Sequence, residues 1–438
     1  MLIQQFRQTV YQIFGQRADA SLDMIDAMTV AGQVTSPVAL SENGLFRRQY
    51  SSVYDVLRAG EIEGEALAQA LYNHQPPESE TVAGYEVYAV DATDNERPSA
   101  ETAGERGLLK HNVREVAREG YKFSWLVRLV GWRSSWVAPI DVQRVKPAST
   151  DNVTAVEQVK RLDAMSARRK VVVADSLYAN VVFLSIFLFV TTVVGLVRLR
   201  NNQVLYEEPP PRRQGQRGAP RKHGAKFKLA TPPRPPDQSD TITLLGQSVR
   251  IRAWQQLHLR KLALLVGMVL CVEFLRKDST PRFRYPLWLL WTGPTDVPLA
   301  DIARIYLWRF AIEHAFRFLK QHLGLKANQS TNLVSIERWM WFCAIAYLQL
   351  LLMRQQVDDL RPAWHPKPNA TQPRLLTPGQ VQRAAHRFLA RLGTPAQSPR
   401  PAGKGTGRRQ GFCPKARTRH PVVRKLKKRP KPKRKAVV

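Results

Sequence analysis

The chain has 438 residues, room for two or three domains and a sizeable core, and an ordinary hydrophobic share of 44%. Its 67 Lys and Arg against 35 Asp and Glu leave a formal net charge of +32, a field that attracts polyanions and points to nucleic acid as partner. The three scattered cysteines, Cys271, Cys343 and Cys413, indicate neither a disulfide framework nor a zinc site and fit a reducing cytoplasm. The opening MLIQQFRQTV lacks the apolar stretch of a secretory signal.

Residues 1–80 read as a small helical N-terminal domain, with periodic apolar positions in FRQTVYQIF and VLRAGEIEGEALAQALYN. From residue 84 the pattern turns to strands: YEVYAV (85–90) ending at Asp91, KFSWLVRLV (122–130) and SSWVAPI (134–140). Residues 151–165 have helical spacing with Asp151 as a possible N-cap, and KVVVA (170–174) is a buried strand ending at Asp175. The uncharged run Val181–Val197 is at the lower limit for crossing a bilayer. It divides more naturally into a helix (178–190) and a β-branched strand (191–199), so no membrane partner is expected. Residues 207–236 carry eight prolines and eight Lys or Arg and read as a solvated loop. Strands follow in ITLLG, VRIRAW, LLVGMVLCVEFLR and PLWLLWTG, forming a β-rich insertion over about 200–298. Helical patterns run from Asp301 to 322, from 333 to 355 and over 378–391. Fifteen of the Lys and Arg, and none of the acids, fall in 401–438, so the remainder still carries +17. Residues 356–438 read as a Pro-rich and basic region ending in a disordered tail.

Three acids stand out. Asp91 and Asp175 end strands, where side chains can point into a cleft, and Glu313 lies inside the helix after the insertion. Two such aspartates and a neighbouring helical glutamate suit two divalent ions, Mg²⁺ or Mn²⁺, of the kind that drive phosphoryl transfer. Each acid also has a plainer explanation. Asp after a strand is a common turn or capping residue, and Asp94 competes with Asp91. Tyr306, Arg309, Glu313 and Lys320 share one helical face, which an Arg309–Glu313 ion pair alone could account for.

IYLWRFAIEHAFRFLK contains Y-x2-R-x3-E-x6-K and resembles the signature of the bacterial insertion-sequence transposases of the "IS-four" superfamily. DAT at 91–93 and VVVADSLYAN are similar to that family's two other acidic motifs. The resemblance implies an α/β fold: a ribonuclease-H-like catalytic core over 84–355 with the β-rich insertion before the last acidic helix. It implies Asp91, Asp175 and Glu313 as a metal-binding DDE triad. Tyr306, Arg309 and Lys320 would grip the phosphates of the element ends, and Trp288 would stand where some relatives stack a flipped base. For Trp288, core packing in an apolar strand is the alternative. The implied partners are element-end and target DNA, bound by a homodimer. The implied activity is cut-and-paste transposition; the alternative is an inactive or domesticated DNA-binding copy.

Overall fold

Four helices open the chain: α1 (Leu2–Ile13), α2 (Ala18–Val30), α3 (Ser51–Ala59) and α4 (Gly64–Asn73). In α1 the buried Ile3, Phe6 and Val10 recur at three and four residues, the spacing of one helical face. The periodic run over 56–73 forms two helices, breaking after Ala59; Glu63 then caps α4 by accepting from the backbone N–H of Glu65 and Ala66. This computed structural model describes residues 1–109, 117–212, 218–361, 364, 376–401 and 407–424. The tail beyond 424 and residues 213–217 of the basic loop therefore lie outside the described residues.

The strands and remaining helices follow in the order β1 (Thr81–Val82), β2 (Tyr85–Glu96), β3 (Gly107–Leu109), β4 (Arg118–Leu129), β5 (Val137–Val145), α5 (Asp151–Met165), β6 (Lys170–Ala174), α6 (Val181–Leu184), β7 (Val193–Leu199), β8 (Val204–Glu207), β9 (Lys226–Lys228), β10 (Gln238–Leu244), β11 (Gln247–Leu259), β12 (Leu262–Phe274), β13 (Leu287–Trp291), α7 (Leu299–Trp308), α8 (Ala311–Gln321), α9 (Leu333–Met353) and α10 (Pro378–Leu392). Among the described residues the strands join one mixed sheet, whose main path runs β3-β4-β2-β6-β7-β13-β12-β11-β8-β9. β2, β4 and β5 form an antiparallel meander, while β6 lies parallel to β2 and β7 parallel to β6. The β-rich stretch is thus no separate layer. β13 pairs antiparallel with β7 and carries β12 and β11 outward on the same sheet.

Alternation along β2 supplies both faces. Val87 and Ala89 join the core shared with α1, α2, α8 and α9, whereas Tyr88 and Val90 join the core under α5 and α6. The N-terminal helices therefore pack into the same apolar core as the sheet. α9 is long and apolar enough to cross a membrane, and 94% of its most apolar window is buried inside the protein. The 181–197 run divides into α6, a 3₁₀ turn and β7.

Several local expectations are corrected. Thr150, not Asp151, caps α5: its side chain accepts from the N–H of Val153. β2 does not stop at residue 90, because the long β4 pairs with it as far as Glu96. Residues 207–236 are not all solvated, since β9 pairs with β8 and buries Phe227 against Trp254, with ring centroids 5.6 Å apart. Part of the C-terminal region docks as well: the N–H groups of His420 and Val423 donate to the carbonyls of Glu101 and Arg106 at 2.8 and 2.7 Å. Between α8 and α9, Gly324 adopts φ +63° against Val34, where a Cβ would collide with the Val34 backbone.

One buried polar knot ties α1, α2 and α9 together. Arg7 Nη2 lies 2.5 Å from Asp26 Oδ2, and Gln349 Nε2 donates to Asp26 Oδ1 and Thr29 Oγ1. Burial pushes the Asp26 carboxyl up to about 6, Arg7 opposing the rise. A raised carboxyl binds its proton more tightly folded than unfolded. Its contribution is therefore full below the unfolded value of 3.8 and lost as pH rises through about 6. Relative to Asp26→Asn, wild-type stability should fall by on the order of 3 kcal/mol between pH 4 and pH 7. Urea unfolding across that range measures it, and a pH-independent difference contradicts it.

Candidate active site

The cleft arises from a length mismatch. β6 pairs with β2 only from Glu86 to Ala89 and ends at Ala174, whereas β2 continues to Glu96 along β4. Ala89 lies beside Val173. Continuing that parallel register by two residues sets Asp91 beside Asp175 where the pairing has stopped. Both acids follow the alternation of Ala89 and Val173, which belong to the core face that carries α8.

α8 is held against this rim by an aromatic contact. Trp125 is the β4 partner of Asp91, and its ring meets Phe316 of α8 edge-on at 6.1 Å. The expected single helix from 301 to 322 is broken between α7 and α8. There, Arg309, Ile312 and Glu313 donate their N–H groups three residues back, to Tyr306, Arg309 and Phe310. This is a tightened 3₁₀ turn, a frequent mark of a functional bend. It places Glu313 in the first turn of α8, where the helix dipole favours negative charge.

Arg309 occupies the centre. Nη2 is 2.8 Å from Glu313 Oε1, and Nη1 is 3.6 Å from Asp91 Oδ2. Its guanidinium also lies over the ring of the buried Tyr306, 6.0 Å from the centroid. Burial pushes the Asp91 carboxyl up to about 6; Arg309 pulls it down, while the charges of Asp175 and Glu313 push it further up. Asp175 and Glu313 thus both act on Asp91 across the cleft. Lys320, in the last turn of α8, is shifted below its usual value by partial loss of hydration and by the charge of Lys326, and the charges of Asp94 and Asp91 oppose that shift.

The plainer explanations also find partners. Asp175 Oδ1 accepts from the N–H of Leu177 at 2.8 Å, the geometry of a turn residue, and Arg309–Glu313 is an i,i+4 pair. Asp94 stands opposite Lys122 and pairs with it at 3.9 Å, beside Asp151, so it is engaged apart from the Asp91–Arg309–Glu313 group. Trp288 is not brought to the cleft. It is 3% exposed and packed on Trp254 with centroids 5.6 Å apart. Tyr178, which sequence reasoning missed, is buried and feels the charges of Asp91 and Asp175; its place three residues after Asp175 was the available signal.

Among the described residues no group of three or more His, Cys, Asp or Glu closes to metal-binding spacing. The donor chemistry nevertheless fits a hard divalent cation: three carboxylate side chains supply hard oxygen donors, and the charges of Asp175 and Glu313 both raise the Asp91 carboxyl. The positive charge now between two of them is Arg309. Arg309→Met should raise the Asp91 carboxyl further, read from carboxyl-carbon NMR of Asp-labelled protein; an unchanged titration contradicts the coupling.

Residues 9–261 match a family described as DDE superfamily endonuclease, more than half of the chain. The matched span includes Asp91 and Asp175 and ends before Glu313 and the Tyr306–Lys320 face. Among curated proteins none matches the chain.

Proposed function

Because the chain belongs to the DDE endonuclease superfamily, we propose that it is a DNA transposase of the insertion-sequence "IS-four" type, cutting and rejoining element ends. The observation that carries this reading is the electrostatic convergence of Asp175 and Glu313 on Asp91, with Arg309 between Asp91 and Glu313. The Y-x2-R-x3-E-x6-K face supports it, as does the order β5-β4-β2-β6-β7, an antiparallel meander followed by parallel strands, which agrees with a ribonuclease-H-like core.

Asp91, Asp175 and Glu313 would hold the divalent ions. When bound, such ions lower the pKa of the attacking water or hydroxyl and stabilise the leaving oxygen. The chain's own groups do the positioning. Arg309 can release its carboxylates to cation and turn its fork to a phosphate, which it binds bidentately. Lys320 supplies a point charge at the far end of α8, and Tyr306 supports the guanidinium from beneath. Basic segments, including Arg198 and the tail, contribute sequence-independent backbone affinity. The N-terminal helices remain the candidate for end recognition, within a homodimer on DNA.

Glu313→Gln should lower Mg²⁺-dependent cleavage of labelled element ends by at least about 100-fold; cleavage at the wild-type rate rejects the triad. Lys320→Ala should weaken binding to those ends and reduce the magnitude of the log–log salt slope by about 1. An unchanged slope rules out a phosphate contact there.

One observation favours a second reading, a DNA-binding copy without catalysis: the guanidinium already pairs with two of the three acids. Nicking of DNA that appears with Mg²⁺ and vanishes with chelator separates the two.

A further inference from the structure

Three elements meet around a second cavity: the α7–α8 bend, the β4–β5 turn and the tip of the β10–β11 hairpin. The cavity measures about 210 Å³, and its apolar walls are Trp132, Leu245, Leu307, Trp308 and Phe310. Two of these walls face solvent, Leu245 being 49% exposed and Phe310 51%. The frame is well formed. Leu244 pairs with Gln247 across a two-residue turn in which Leu245 and Gly246 have φ of +54° and +73°. Ser134 N–H closes the β4–β5 turn on the Gly131 carbonyl at 3.0 Å.

The polar groups of the cavity are donors and cations. Among the described residues the lining holds no acid, and it includes the exposed Arg133 and His314. Arg304 lies over the Trp132 ring, its guanidinium 6.0 Å from the centroid, and its Nε has no acceptor among the described residues. The indole N–H of Trp308, a residue only 3% exposed, has none either. Glu80, beside the turn, is already taken by the backbone N–H of Trp132. A buried donor without an acceptor is expensive, and each one in a folded protein calls for an explanation. An oxygen brought in from outside supplies it.

We propose that this cavity docks an acidic segment of a partner protein. One large apolar side chain of that segment fills the space between Leu245, Trp308 and Phe310. Its carboxylates face Arg133 and Arg304, and one of its oxygens accepts from the Trp308 N–H. Size supports this occupant: small-molecule sites run to roughly 300–1,000 Å³, whereas this hole suits a single anchoring side chain of the kind that dominates protein interfaces. Charge supports it as well, since an acid-free lining repels a basic segment and attracts an acidic one. DNA phosphates would satisfy the arginines without any need for the apolar walls. The occupant rests on Phe310, the residue after Arg309, and so on the bend that aims the guanidinium at Asp91 and Glu313. This inference does not depend on the reaction carried out at those acids.

The test is fluorescence anisotropy of the full chain at fixed salt with two labelled peptides. One is a short acidic peptide with a single central Phe; the other has Ser in that place. A chain of this net charge attracts any polyanion, so the readout is the ratio of the two affinities. Wild type should bind the Phe peptide at least about tenfold more tightly. Leu245→Asp sets a carboxylate on the wall, at a left-handed position that Asp tolerates, and should bring the ratio to about one. If circular dichroism shows that variant unfolded, Phe310→Ser, also at an exposed side chain, carries the same comparison. Equal binding of the two peptides by wild type, or a ratio that survives Leu245→Asp, overturns the docking site. A blunt DNA duplex is the third probe, and Leu245→Asp should leave its affinity within about threefold. A loss on the duplex as large as that on the Phe peptide makes the cavity a DNA contact and overturns the protein partner.

Discussion

Like charges resist assembly, and Asp175 and Glu313 both act on Asp91 across a partly buried cleft. Burial makes the Asp91 carboxyl harder to ionise, and the charges of its two neighbours compound the effect. An arrangement of this kind persists only where a rigid frame imposes it and a positive charge relieves it. The frame is the parallel register of β2 and β6 on one side and the bend between α7 and α8 on the other. The relief is Arg309.

Each part of the frame traces to packing some distance away. β6 is short and buried throughout, so it ends where its apolar residues end and leaves β2 to run on with β4 alone. α8 is seated by Phe316 on Trp125, the residue paired across the sheet with Asp91. Behind α8, α9 is almost wholly buried against the N-terminal helices and β5. The Arg7–Asp26–Gln349 knot holds that layer in one alignment. The acidic rim is thus supported by a helical layer that contributes none of the three acids.

The same sheet carries both the strand-end acids and the β12–β13 connection. Because β13 pairs with β7, which pairs with β6, the β12–β13 hairpin is tied by continuous hydrogen bonding to the strand that carries Asp175.

Much of the site can be read from local pattern. Alternating apolar residues before Asp91 and Asp175, and a charged stripe on an otherwise apolar helix, are short-range features that any fold must respect. The strand character of 85–90, 122–130 and 170–174 has the same origin. Long-range pairing decided the rest. Only the register of β2 against β4 and β6 separates Asp91, beside Asp175, from Asp94, opposite Lys122. Only packing buries Trp288 on Trp254 and leaves Phe283 and Tyr285 outside. The helix broke at Arg309 despite unbroken periodicity, because spacing cannot distinguish an α turn from the tighter turn found there. The Pro-rich loop yielded a strand because an edge pairing offered Phe227 a buried place. By itself, the sequence determined residue types and their intervals, hence which elements form and which acids could act. Which acids face one another, which cation stands between them and which rings meet solvent was decided by contacts between residues far apart in the chain, whose energies no local interval contains.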